Sequence, residues 1–170
     1  MIRKLALAAL AAGLLTAPAL AAEKIKVETS KGCSFEIALR PDLAPKHVAQ
    51  ITKLAKAGFY NGIVFHRVIE GFMAQTGHPT GTGMGGSNEP DIKAEFSQEP
   101  FKRGTVGMAR SQDPDSGNSQ FFIMFADGDF LNGQYTVWGQ VDETGMACVD
   151  KIQRGEPPAN PDKMTKVTVE

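Results

Sequence analysis

Most of the chain beyond residue 23 alternates between apolar and polar side chains in short runs. This alternation is the pattern of half-buried β-strands, and turn residues separate one run from the next. Such runs predict strands at residues 25–29, 34–39, 64–69, 72–75, 104–109, 121–125, 135–141 and 164–169. Ser30-Lys31-Gly32 predicts a turn that makes the first two strands a hairpin.

Two segments instead repeat their apolar residues at the helical period. Residues 45–57 begin with a proline and carry Val48, Ile51 and Leu54 on one stripe. A second helix is predicted at residues 146–153. Eight short strands with two helices and no βαβ alternation favour a mainly β fold, namely a closed antiparallel barrel.

The stretch from Phe65 to Gln75 places an arginine among large apolar side chains. Alternation puts Arg67 on the same face as Phe65 and puts His66 on the opposite face. After a break at Gly71, two more apolar side chains follow, Phe72 and Met73. A charge in such surroundings needs a partner, so one interpretation is a structural ion pair. The candidate acids for that pair are Glu36, Glu70 and Glu95.

The first 21 residues have the features of a secretory signal. Arg3 and Lys4 precede an apolar run at residues 5–15, and Ala19-Leu20-Ala21 is a small-x-small cleavage site. The run of eleven is short for a membrane span, although a retained anchor is the alternative. We therefore expect residues 1–21 to be cleaved and residues 22–170 to form a soluble domain outside the cytoplasm.

Charge and cysteine content narrow the classes of protein further. The whole chain has 18 basic and 19 acidic residues; removing Arg3 and Lys4 leaves 16 and 19, a net charge of −3. This mild acidity argues against binding to nucleic acid. Cys33 and Cys148 are the two cysteines, and either one disulfide or two buried thiols is compatible with them.

The sequence favours neither metal nor nucleophilic catalysis. It contains no G-x-S-x-G or H-E-x-x-H motif, its three histidines lack metal-ligand spacing, and no cofactor is indicated. We interpret His66 as a structural histidine with satisfied hydrogen bonds and His47 as an exposed residue of the first helix. Gly81 to Gly86 match G-x-G-x-x-G, but no strand precedes them and no helix follows. A nucleotide-binding enzyme is therefore an unfavoured alternative.

Residues 65–77 resemble the signature of the cyclophilins, the cyclosporin-binding class of peptidyl-prolyl isomerases. They read Phe-His-Arg-Val-Ile-x-Gly-Phe-Met-x-Gln-x-Gly, and ten of these thirteen positions match by type and spacing. Later blocks agree in the same order: residues 104–110, 119–123, 130–133 and 137–141. The resemblance covers roughly residues 26–152.

The resemblance implies an eight-stranded barrel with a helix over each open end, and prolyl isomerase activity without a cofactor. It implies that Arg67 is the catalytic donor. It assigns the proline ring to Phe72, Met73, Phe122 and Leu131. It assigns the rest of the peptide to Gln75, Gln120 and the backbone of Ala109 and Arg110, with Phe130 and Tyr135 at the rim.

Three positions depart from the commoner family pattern. Phe130 replaces tryptophan, Tyr135 replaces histidine and Arg110 replaces asparagine. Without the tryptophan donor, we expect only weak cyclosporin binding. Phe130 and Tyr135 resemble the bacterial branch, which together with the signal predicts a periplasmic monomer. Its partners would be proline-containing polypeptides, including unfolded exported proteins; a non-catalytic proline-peptide binding module or chaperone is the alternative.

Overall fold

The computed structural model describes residues 23–170, which form eight strands and two α-helices in one sheet-based domain. The predicted signal, residues 1–21, lies outside the described residues. The strands are β1 (Lys24–Thr29), β2 (Ser34–Leu39), β3 (Arg67–Ile69), β4 (Met73–Thr76), β5 (Thr105–Met108), β6 (Phe121–Met124), β7 (Val137–Gln140) and β8 (Met164–Val169). The helices are α1 (Pro45–Lys56) and α2 (Glu143–Val149), and a 3-10 turn covers Asp129–Leu131.

The first hairpin shows how the alternating pattern builds the sheet. Ile25 pairs with Ile37 and Val27 with Phe35, so the apolar residues of β1 and β2 lie on the same face. All four are buried in the main core, and the intervening residues face outward. Trp138 is fully buried in the same core, as a core residue of the predicted barrel should be.

The eight strands form one antiparallel sheet in the order β3-β4-β6-β5-β7-β2-β1-β8. The prediction of a closed barrel is wrong, because the sheet is an open half-barrel. Instead of a ladder between β3 and β8, isolated bridges join the region of β3 to the segment before β8, namely Val64 to Lys163 and Val68 to Gly155. β3 has only three residues, and its central residue is already paired with Gly155, so a β3–β8 ladder does not form.

Helix α1 is close to its prediction, but His47 is not. The side chain of His47 is buried, and its Nδ1 lies 2.7 Å from Oε2 of Glu95. The same carboxylate accepts the backbone N–H groups of Lys46 and His47 at 3.1 and 3.0 Å. The prediction of an exposed His47 is wrong because the long loop at residues 77–104 folds back over the helix and supplies this acid.

Helix α2 begins three residues earlier than predicted. Asp142 precedes it, and its side chain accepts the backbone N–H of Gly145 at 2.8 Å, which caps the first turn. The helix ends at Val149 rather than Gln153. The apolar spacing located the buried face, whereas the cap determined where the helix starts.

The two cysteines form a disulfide that ties α2 to the first hairpin. Cys33 lies in the turn between β1 and β2, Cys148 lies in α2, and their Cα atoms are 5.8 Å apart. The structure thus favours the first of the two alternatives left open by the sequence. Within residues 23–170, no helix is both long enough and apolar enough to cross a bilayer.

Candidate active site

Three neighbouring strands place an arginine, an amide and an aromatic ring side by side. In the ladder register, Arg67 of β3 lies opposite Gln75 of β4, and Gln75 lies opposite Phe122 of β6. The tight turn between β3 and β4 contains Gly71 at φ +68°, a conformation that glycine adopts without strain. The row continues to Gly107 of β5, which lies opposite Phe122.

A cavity of about 360 Å³ lies over this row. Met73, Phe122 and Leu131 form its buried floor, and they belong to a second apolar cluster separate from the main core. Nine of the eleven predicted site residues line the cavity: Arg67, Phe72, Met73, Gln75, Ala109, Arg110, Phe122, Leu131 and Tyr135. An apolar floor with a few polar groups at its edge suits an apolar ring attached to a polar backbone.

The other two predicted residues, Gln120 and Phe130, flank this cavity. Gln120 lines an adjacent cavity of about 350 Å³ and accepts a hydrogen bond from Nε2 of Gln75 at 3.0 Å. Phe130 is 72% exposed, and its ring centroid lies 5.5 Å from that of Phe72. Phe130 therefore lies beside Phe72, outside the lining of the cavity, with most of its surface exposed.

Arg67 is less buried than the sequence suggested. Its side chain is 45% exposed, and its Nε donates to Oε1 of Glu156 at 2.8 Å. None of the three candidate acids is its partner, because Glu36 pairs with Lys24, Glu70 with Arg154 and Glu95 with His47. The partner is 89 residues away in sequence, and no local signal identifies it.

The predicted faces around Arg67 also need correction. Phe65 precedes β3 and is fully buried in the main core with Val68, so it does not share the face of Arg67. His66 lines the same cavity as Arg67 instead of pointing away from it. The chain is irregular before β3 begins, and strict alternation does not apply there.

His66 is not the hydrogen-bonded structural histidine that the sequence suggested. Its Nδ1 is buried and has no hydrogen-bond partner among the described residues. Burial lowers the pKa of His66, and the nearby His78 and Arg67 lower it further. His66 is therefore a neutral imidazole at the cavity wall at neutral pH.

The rim on the far side of the cavity is held by Arg110. Its guanidinium lies 4.7 Å from the centre of the Tyr135 ring, and its Nε donates to the carbonyl of Gln134 at 3.0 Å. The backbone N–H of the preceding residue, Ala109, donates to the carbonyl of Gln120 at 3.0 Å. Arg110 thus fixes the aromatic wall in place while its own charge remains at the cavity edge.

Sequence reasoning missed several residues of the site. Thr82 and Gly83, from the glycine-rich loop, line the cavity with His66. Gly107 is needed beneath it, because a Cβ there would lie 2.5 Å from Cζ of Phe122. A glycine inside a strand was the available signal for such a close approach. Among residues 23–170, no group of three or more His, Cys, Asp or Glu could hold a metal ion.

Comparison with known proteins agrees with this geometry. Residues 24–169 match the family model described as cyclophilin type peptidyl-prolyl cis-trans isomerase/CLD. The chain is 56% identical over 171 residues to a probable peptidyl-prolyl cis-trans isomerase of Brucella suis, covering 91% of this chain and 87% of that protein.

Two solved structures share the fold. The crystal structure of cyclophilin AquaCyp293 from Hirschia baltica has a TM-score of 0.77 at 31% identity, over 85% of this chain and 73% of that one. A cyclophilin-type isomerase of Cryptosporidium parvum, crystallised in the presence of the dipeptide Ala-Pro, has a TM-score of 0.78 at 26% identity, over 86% and 98% of the two chains.

The fold and the cavity thus define a prolyl isomerase built on an open half-barrel. The chain belongs to the cyclophilin-type peptidyl-prolyl cis-trans isomerase family. The reaction of this family is rotation about the peptide bond that precedes proline.

Proposed function

We propose that Arg67 is the catalytic donor of this isomerase and that the protein assists the folding of exported polypeptides. The observation that carries the first proposal is the register of Arg67, Gln75 and Phe122 across β3, β4 and β6. This register places a permanently charged donor beside the buried floor on which a proline ring can rest.

Prolyl isomerisation requires a hydrogen-bond donor rather than a nucleophile. Rotation about an amide crosses a barrier of roughly 18–20 kcal/mol, because the C–N bond has partial double-bond character. The two planar X–Pro forms differ by only about 0.5–1 kcal/mol, so the difficulty is kinetic. In the twisted transition state the prolyl nitrogen regains its lone pair and becomes a hydrogen-bond acceptor. A donor aimed at that nitrogen stabilises the twisted transition state more than either planar form, and this difference lowers the barrier.

The residues around Arg67 have complementary roles in this proposal. Met73, Phe122 and Leu131 hold the proline ring, with Phe72 beside them at the cavity wall. Gln75 and Gln120, together with the backbone of Ala109 and Arg110, position the peptide on either side. Phe130 and Tyr135 complete the rim. Each tenfold in rate requires about 1.4 kcal/mol, which a charge-assisted hydrogen bond in a largely apolar site can supply.

The isomerase assay tests the role of Arg67 directly. We expect Arg67→Ala to lower kcat/KM for a short Xaa-Pro peptide by about 100- to 1,000-fold, as for other transition-state donors. Arg40→Ala is the matched control, since Arg40 also pairs with an acid at the surface, Asp42. Equal rates for the wild type and Arg67→Ala would refute the assignment. Saturable peptide binding without acceleration by the wild type would instead favour a non-catalytic binding module.

We further infer that the protein is exported to a periplasm and acts there as a monomer on unfolded proteins. The signal-like residues 1–21 and the disulfide between Cys33 and Cys148 support this inference, because disulfides persist in oxidising compartments. Expression of the full chain in a Gram-negative host, followed by fractionation and N-terminal sequencing, tests it. We expect a periplasmic product that starts at Ala22. A full-length product in the cytoplasm would contradict it.

A further inference from the structure

Glu156 lies beside Arg67 because the backbone of Gly155, the residue before Glu156, is paired with β3. The N–H of Val68 donates to the carbonyl of Gly155 at 2.8 Å, and the N–H of Gly155 donates back at 2.7 Å. This two-bond bridge fixes Gly155 opposite the central residue of β3. As a result, Oε1 of Glu156 accepts a hydrogen bond from Nε of Arg67 at 2.8 Å.

The segment that carries Glu156 is held by the two residues before Gly155. Arg154 pairs with Glu70, and its guanidinium also lies 4.1 Å from the ring centre of Phe125. The backbone N–H of Gln153 donates to Oδ2 of Asp162 at 2.9 Å. These contacts make the backbone around Glu156 a fixed support rather than a free loop.

The backbone at Gly155 packs closely against Pro158 and has little freedom to change its conformation. Its φ is +147°, and a Cβ at this position would lie 2.5 Å from Cα of Pro158. Two prolines, Pro157 and Pro158, follow Glu156 directly and restrict φ further. The backbone therefore fixes the point from which the side chain of Glu156 extends toward Arg67.

The contact with Glu156 uses one edge of the Arg67 guanidinium. Glu156 engages Nε, and a guanidinium is planar with its N–H donors in a fixed fork. A hydrogen bond at Nε restrains the plane of the whole group and, with it, the direction of the two terminal NH₂ groups. Both side chains are about half exposed, at 45% and 53%, so the pair contributes little to folding stability. Its effect is on orientation.

We propose that Glu156 is a positioning residue for Arg67, which it holds by Nε so that the terminal NH₂ groups face the prolyl nitrogen. This proposal rests on the proposed role of Arg67 and extends it to a residue that acts through Arg67 without touching the substrate. A donor fixed before the reaction stabilises the transition state without reorganising during it. Loss of the carboxylate should therefore lower kcat and leave KM nearly unchanged.

A double-mutant cycle with separate kcat and KM values tests the proposal. We expect Glu156→Ala to lower kcat by roughly tenfold, equivalent to about 1.4 kcal/mol, with KM within about twofold. Glu156→Gln keeps an acceptor for Nε and should restore part of this loss. In an Arg67→Ala background, Glu156→Ala should have no further effect, because the residue to be positioned is absent.

The control for a general effect of breaking a surface ion pair is Glu36→Ala. Glu36 pairs with Lys24 at 2.8 Å and has a similar exposure, but it lies on β2. We expect its kcat to match that of the wild type, with melting temperatures alike for both alanine variants. An unchanged kcat in Glu156→Ala, or an equal loss with and without Arg67, would overturn the positioning role. Wild-type activity of Arg67→Ala itself would instead overturn the proposed function.

Discussion

Gln75 and Gln120 are joined side chain to side chain, with Nε2 of Gln75 donating to Oε1 of Gln120 at 3.0 Å. Nε2 of Gln120 in turn donates to the carbonyls of Gly83 and Gly85 at 3.0 and 2.6 Å. Gln120 thus links the strand next to Arg67 with the glycine-rich loop. Both the cavity over Arg67, Gln75 and Phe122 and the adjacent cavity depend on this connection, since Gly83 lines both.

Replacing Gln120 should weaken peptide binding. In Gln120→Ala the loop loses both hydrogen bonds to its carbonyls, and the cavity wall at Gly83 is no longer fixed. We expect KM to rise roughly fivefold, equivalent to about 1 kcal/mol of lost hydrogen bonding, with a smaller change in kcat. Steady-state kinetics measures both. Gln98→Ala, at an exposed position of the long loop, is the control, and the same KM in both variants would contradict this account.

Gly107 should be required for the shape of the cavity floor. A Cβ at residue 107 would lie 2.5 Å from Cζ of Phe122 and 2.7 Å from Cε1 of Phe101. Gly107→Ala should therefore displace Phe122, cost about 1–3 kcal/mol of stability and raise KM. Urea unfolding and peptide kinetics check the two effects.

Gly139→Ala is the matched control for that substitution. Its Cβ would lie 2.5 Å from Cγ2 of Ile37, so it overpacks the main core to a similar degree. We expect a similar loss of stability with an unchanged KM below the melting temperature. If the two variants raise KM equally, the floor at Phe122 is not what binds the peptide.

The strands and helices were predictable because their signal is local. Alternation located β1, β2 and β8 to within a residue of their observed bounds, and the stripe through Val48, Ile51 and Leu54 located α1. The core role of Trp138 also follows from local pattern and fold class. Barrel closure was not predictable, because it depends on whether β3 and β8 meet, and Gly155 occupies the place where they would pair.

The site was predictable as a list of residues but not as a network. The resemblance of residues 65–77 and of the later blocks to the cyclophilins named nine of the residues that line the cavity. The environments of His47, His66 and Arg67 depend on loops that are distant in sequence, at residues 77–104 and 150–163. Alternation within one strand carries no information about such contacts. The burial of His47, the position of His66 at the cavity wall and the pairing of Arg67 with Glu156 were therefore missed.

Stability should fall as the pH drops below the ordinary histidine range. Burial lowers the pKa of His47 although Glu95 opposes it, and burial also lowers the pKa of His66. Each folded-state pKa lies below the unfolded value, so the unfolded chain binds more protons as the pH falls through about 6.5. The stabilisation is present above that pH and is lost below it.

Urea unfolding at pH 7.5, 6.5 and 5.5 measures this dependence. We expect a decreasing free energy of unfolding in the wild type and a smaller decrease in His47→Gln, with the remainder due to His66. Loss of the contact with Glu95 should also lower the stability of His47→Gln at pH 7.5 by about 1–3 kcal/mol. An identical pH slope in both proteins would show that His47 does not carry the effect.

Reduction of the disulfide should destabilise the fold and leave the cavity intact. The bond between Cys33 and Cys148 joins residues 115 positions apart in sequence. Neither cysteine lines the cavity beside Arg67. We expect dithiothreitol to lower the free energy of unfolding by about 2–4 kcal/mol, with kcat/KM unchanged at 25 °C. The Cys33→Ser/Cys148→Ser variant should match the reduced protein and no longer respond to dithiothreitol. Loss of activity before unfolding would contradict this separation.

Cyclosporin binding should respond to a single change at the rim. The family resemblance places Phe130 where many members have tryptophan. It lies in the 3-10 turn Asp129–Leu131, where it packs on Phe72 and leaves 72% of its surface exposed. Phe130→Trp adds an indole N–H donor to this wall without disturbing the buried floor. A new hydrogen bond of about 1–1.5 kcal/mol corresponds to roughly tenfold tighter binding.

Isothermal titration with cyclosporin compares the wild type, Phe130→Trp and Phe130→Tyr. The tyrosine variant is the control, because it keeps an aromatic ring but places its polar group differently. We expect a lower Kd in the tryptophan variant alone, with kcat/KM for a short Xaa-Pro peptide within about twofold of the wild type, because the proline floor at Met73, Phe122 and Leu131 is unchanged. Equal affinity in all three proteins would mean that the missing donor at residue 130 does not limit cyclosporin binding.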